Sequence, residues 1–94
     1  MSENSKAMRK AVLRNRAGLH MRPVQMIVET AGRFRSEVEI GKAGEAKVNA
    51  KSVMDVMMLA AGKGVELEIA ATGIDAAAAA AAMAGLVEGG FDEE

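Results

Sequence analysis

The chain has 94 residues, enough for one small domain, and half of them are hydrophobic, with so much alanine that any core must be thin. Its 12 basic residues against 13 acidic ones leave a net charge of −1, which excludes a general nucleic-acid binder built on a basic surplus. Without cysteine there is neither a disulfide nor a thiolate metal site, in keeping with a cytoplasmic protein.

The polar residues 1–6 carry no signal-peptide pattern, and membrane insertion is not expected. Residues 8–14 predict a first strand, with Ala11 and Leu13 on one face and Val12 on the other. Next comes Gly18-Leu19-His20-Met21-Arg22-Pro23, where an extended segment gives way to a helix. The glycine permits a sharp turn, and the proline suits a first helical turn, where its missing N–H is no loss. His20, the one histidine of the chain, then falls at or next to the N-cap. Backbone N–H groups there lack intrahelical partners, and the helix dipole favours an anion. Arg22 adds a fixed charge with a fork geometry suited to phosphate. An imidazole in this setting can hold phosphate covalently on a ring nitrogen. The plainer reading is that His20 only caps the helix and that Arg22 is a solvated surface charge.

The helix is expected over residues 23–31. Val24, Ile27, Val28 and Ala31 form its buried stripe, and Gly32 ends it. Phe34, Ser36, Val38 and Ile40 alternate with Arg35, Glu37 and Glu39 in a half-buried strand. Gly41 and Gly44 mark a hairpin turn into a shorter strand carrying Ala46 and Val48. Ser52, with Asp55 three residues on, opens a short helix whose core stripe is Val53, Val56, Met57 and Ala60. Met54 and Met58 fall on another face, as an adaptable partner surface or as fillers of gaps in an alanine-rich core. The Ala60-Ala61-Gly62-Lys63-Gly64 segment lacks the spacing of a phosphate-binding loop.

Val65, Leu67 and Ile69 alternate with Glu66 and Glu68 in a fourth strand. Asp75 is the expected N-cap of a last helix, which runs through the alanines at 76–82 to about Glu88 and stops at Gly89 and Gly90. Met83, Leu86 and Val87 supply its larger contacts, and Gly85 suits a close approach to another element. The acidic residues 91–94 read as a frayed tail. The order β-α-β-β-α-β-α, with one apolar face per strand, predicts an α+β fold: a four-stranded antiparallel sheet covered on one face by three helices. A single domain is expected over residues 1–94, with its core at about 7–88. One histidine and scattered carboxylates make no metal cluster.

Two blocks carry a family resemblance: the Gly18–Pro23 motif and Asn49-Ala50-Lys51-Ser52-Val53-Met54-Asp55-Val56-Met57-Met58-Leu59. Over about residues 7–88 the chain resembles HPr, the histidine-containing phosphocarrier family of the bacterial phosphoenolpyruvate-dependent sugar phosphotransferase system. The resemblance implies an open-faced β-sandwich. It implies that His20 Nδ1 accepts phosphate from the phosphohistidine of enzyme I and passes it to an enzyme IIA domain. Arg22 would compensate the phosphate charge. Ser52 would be the regulatory site for an HPr kinase/phosphorylase where that regulator exists.

Such a chain is a phosphoryl carrier rather than an enzyme turning over alone; it needs no cofactor and is expected to be a monomer. Met21 stands where the family commonly has alanine, and Gln25 where a small residue is frequent. Both bear on which enzyme I and which IIA protein the chain prefers. Two other readings are a carrier of the nitrogen-related signalling branch and a small binding module in which His20 is incidental.

Overall fold

The computed structural model describes residues 5–93. Positions 1–4 of the polar N-terminal stretch, and Glu94 of the expected acidic tail, lie outside the described residues. The elements follow the order read from the sequence. They are β1 (Lys6–Val12), α1 (Met21–Gly32), β2 (Glu37–Lys42), β3 (Val48–Asn49), α2 (Val53–Met57), β4 (Glu66–Thr72) and α3 (Ala76–Glu88), followed by a 3-10 turn at Gly90–Asp92.

The four strands form one antiparallel sheet in the order β1-β4-β2-β3. The last strand therefore lies in the middle. Ile69 of β4 sits opposite Arg9 of β1 on one side and Ile40 of β2 on the other. Ala11, Val38, Ile40, Leu67, Ile69 and Ala71 are buried on the covered face of the sheet. The opposite face carries Met8, Lys10, Glu39 and Glu68, and there Glu68 pairs with Lys10 at 3.7 Å and with Lys47 at 3.2 Å.

Helix α3 packs on β1 and β4, and α1 packs against α3 and α2. Ala76, Ala79, Ala80 and Ala84 face inward with Met83 and Val87. Methyl side chains let this helix lie close to the sheet, and their short reach is why the core is small. The stripe of α1 is buried at Val24, Ile27 and Ala31, with Val28 half-buried.

Tertiary hydrogen bonds change several expected details. Strand β1 ends at Val12, although Leu13 still exchanges backbone bonds with Val65 and Gly64. The alternating segment from Phe34 joins the ladder only at Glu37, because the N–H groups of Arg35 and Ser36 go to the Asp75 carboxylate, both at 2.9 Å. Asp75 does precede α3, but its side chain makes no bond to that helix. It also accepts from the Ser36 hydroxyl at 2.5 Å, so it ties the start of α3 to the start of β2. Gly41 lies inside β2 rather than in the turn. A Cβ there would stand 2.7 Å from the Ala46 carbonyl oxygen, so the glycine lets the returning chain cross close over the strand. Strand β3 is only two residues long and excludes Ala46.

In α2, Val56 is fully buried and Met57 half-buried, while Val53 and Ala60 are exposed. Five residues make barely more than one turn, too short to carry a four-residue stripe. A Cβ added at Gly85 would meet no atom of another element within 4 Å, so close packing does not explain the glycine.

The largest departure is at the C-terminus. Residues 91–93 are not a frayed tail: Phe91 is 1% exposed and belongs to the core. Gly90, Phe91 and Asp92 all take positive φ, which folds the chain back on itself. Two of these are not glycine, and the burial of an aromatic ring is what offsets that backbone strain.

Candidate functional site

The turn that presents His20 is built by Gly18 and Asn15. Gly18 has φ +67, and a Cβ there would lie 2.5 Å from the Ala61 carbonyl oxygen. No other residue fits without moving the 61–62 backbone, which the next residue also grips: Leu19 N donates to Ala61 O at 3.0 Å. The chain then leaves the turn extended. His20 is the N-cap of α1, with φ −94 and ψ −173, and its carbonyl accepts from Val24 N at 3.1 Å. Its imidazole makes no capping bond, so it is free for another task.

That imidazole meets Glu93. His20 Nε2 lies 3.1 Å from Oε1 and 3.0 Å from Oε2 of this carboxylate. Arg22 Nη1 donates to Glu93 Oε2 at 3.2 Å and to the Phe91 carbonyl at 2.9 Å. Asn15 Nδ2 donates to Glu93 Oε1 at 3.1 Å. Three side chains thus converge on one carboxylate. Their donors hold its acidity stronger than usual, the His20 hydrogen bond first, against the opposing effect of partial burial. Ionised, the carboxylate can only accept, so Nε2 is the donor and carries the proton. In the neutral ring the lone pair then resides on Nδ1. The His20 side chain remains 42% exposed, open to a second protein.

The other expected site residues fall on α1 and α2, two helices in contact. Met21 and Gln25 are exposed on α1, Met54 (75%) is exposed on α2, and Met58 (78%) is exposed at the C-cap of α2. The methionines are therefore not core fillers. Ser52 caps α2, its Oγ accepting from Asp55 N at 3.2 Å. Arg22, which the resemblance implies compensates phosphate charge, here engages Phe91 and Glu93 of the tail. No group of three or more potential metal ligands occurs among the described residues, and no described helix is long and apolar enough to cross a membrane.

Sequence reading missed Glu93 and Asn15. A signal for the first was present in Phe91: one of only two aromatic residues in so thin a core is poorly suited to a solvated tail. Asn15 is fully buried between two exposed arginines, a placement that local pattern does not reveal.

Comparison with known proteins identifies the family and the fold. Residues 7–89 match the family described as PTS HPr component phosphorylation site. The phosphocarrier protein HPr of Treponema pallidum (strain Nichols) is 46% identical over 80 residues, covering 85% of this chain and 90% of that protein. Among solved structures, HPr-C-His from Thermoanaerobacter tengcongensis superposes with a TM-score of 0.86 at 36% identity, covering 94% of this chain and 98% of that one. The phosphocarrier protein HPr from Bacillus anthracis str. Ames gives 0.81 at 37% identity, covering 89% and 99%.

Proposed function

The chain belongs to the HPr family of phosphotransferase-system phosphocarriers, and from that premise we propose that His20 Nδ1 relays a phosphoryl group from enzyme I to an enzyme IIA domain. The contact between His20 Nε2 and both oxygens of Glu93 supports this reading most directly. A ring held with its proton on Nε2 presents Nδ1 as the nucleophile.

In the first step Nδ1 attacks phosphorus, the bond to the donor histidine breaks, and its electron pair returns to the donor nitrogen. The Nε2 proton stays where it is, held by Glu93, so transfer needs no proton exchange with solvent. In the second step a IIA histidine attacks the same phosphorus and His20 leaves as neutral imidazole. Transfer of this kind depends on in-line positioning and charge stabilisation. Arg22 stabilises the phosphoryl oxygens by exchanging Glu93 for them, and its two present contacts are both with the tail. Met21, Gln25, Met54 and Met58 form the surface on which partners dock, since flexible thioether side chains adapt to more than one protein.

Ser52 is the regulatory position where an HPr kinase/phosphorylase is present. Phosphate there adds a charge of about −2 at a helix start and acts on the partner surface rather than on the fold. The carrier acts as a cytoplasmic monomer.

The test is intact-mass analysis after incubation with phosphoenolpyruvate, magnesium and a cognate enzyme I. One acid-labile phosphate, absent from His20→Ala and acquired more slowly by a folded Arg22→Ala, is expected. An unphosphorylated wild type beside an active enzyme I rejects the reading.

A further inference from the structure

Asn15 makes two contacts that bear on the same histidine. Its Nδ2 donates to the Gly18 carbonyl at 2.7 Å and to Glu93 Oε1 at 3.1 Å. The Gly18 carbonyl also accepts from the His20 backbone N–H at 3.0 Å. One amide group therefore reaches the His20 main chain through a shared carbonyl and the His20 ring through a shared carboxylate. Both neighbours of Nδ2 are acceptor oxygens, so the amide orientation follows from its partners.

The other end of the side chain carries a cost. Asn15 Oδ1 is buried and has no hydrogen-bond partner among the described residues. A buried carbonyl without a partner is destabilising, and an apolar residue of similar size would avoid that. The loop has a backbone closure of its own, Gly18 N to Asn15 O at 3.2 Å, which any residue at position 15 could supply. Beyond that closure the side-chain amide adds a second bond within the loop, to the Gly18 carbonyl, and the one contact that leaves the loop, the bridge to Glu93.

We propose that Asn15 is a positioning residue for His20: its side-chain amide locks the Glu93 carboxylate against Nε2 and so holds the ring in the form that exposes Nδ1. The assignment rests on the reading of His20 as phosphate acceptor. In the wild type, three side chains fix the carboxylate. Without the amide, His20 and Arg22 remain, and neither ties the carboxylate to the loop below it. The ring then samples both neutral tautomers and a wider range of angles, and fewer encounters with a donor phosphohistidine are in line.

The chain has one histidine, so its imidazole nitrogen resonances are unambiguous. Imidazole 15N shifts of neutral His20 are measured in the wild type, Asn15→Ala and Asn15→Ser, beside the rate of phosphorylation by enzyme I. Serine keeps the backbone closure of the loop and a polar side chain but is too short to reach Glu93, so it serves if the alanine variant does not fold. In folded variants the shifts are expected to move from a proton fixed on Nε2 toward the mixture typical of free imidazole. Phosphorylation slows on the order of ten-fold, as for a reacting group misplaced by a fraction of an ångström.

If Asn15 acts through Glu93, the rate losses of Asn15→Ser and Glu93→Gln do not add in the double variant. Unchanged shifts and rates in folded protein, or additive losses, overturn the proposal and leave Asn15 as a loop residue. Absence of any phosphate on the wild type instead defeats the carrier reading, and the nitrogen shifts still decide whether Asn15 orients the ring.

Discussion

At the scale of single residues, the carboxylates of this chain do unequal work. Glu93 touches the reactive imidazole, and Asp75 ties two elements together. Asp75 accepts from the Ser36 hydroxyl and from two backbone N–H groups. These bonds, the hydroxyl first and the Arg35 N–H next, lower its pKa from 3.8 to about 2. A carboxylate whose folded pKa lies below its unfolded value stabilises the fold fully above the unfolded value. That contribution is lost as pH falls through the folded one. Unfolding midpoints are therefore expected to drop between about pH 4 and pH 2, and Asp75→Asn is expected to flatten that part of the profile. An identical slope in the variant counts against Asp75 as the group responsible. The position of Asp75 before a helix was legible from its neighbours. Its partners were not, because they lie forty residues away in sequence.

Among the elements, α2 is the clearest case of a short helix held by its cap and its contacts rather than by propensity. Five residues are too few to sustain a helix alone. Ser52 supplies one side-chain bond, and Val56 is the residue that anchors the helix to the core. Ser52→Ala is expected to lower stability by about 1 kcal/mol in urea denaturation. Met54→Asp is expected to leave the melting temperature intact while weakening binding to enzyme I, measured by titration calorimetry. Loss of the fold would show that Met54 supports the core. The Ser52 cap could be read from the S-x-x-D spacing, since capping is a local interaction. The spacing also set Met54 and Met58 on a different face from Val56 and Met57; that their face is open rather than packed was decided by how α2 sits against α1 and β3.

For the molecule as a whole, the C-terminal turn closes both the core and the site. Phe91 fills the interior beside α3, and two residues later Glu93 reaches His20. Phe91→Ala is expected to cost about 3 kcal/mol or more in stability, measured by chemical denaturation, and to loosen the His20–Glu93 contact together with the core. A variant as stable as the wild type would mean that the ring is not a core element.

The strands, the helices, their order and the His20 turn were determined by the sequence alone. Hydrophobic period, glycine, proline and capping residues act within a few positions of one another, and the family motifs are contiguous. The tertiary structure alone decided that β4 lies between β1 and β2, that Asp75 binds Ser36, and that Asn15 and Glu93 flank the histidine. Each of these depends on groups far apart in the chain. They meet only once burial of the thin alanine-rich core has brought the sheet, the helices and the final turn together.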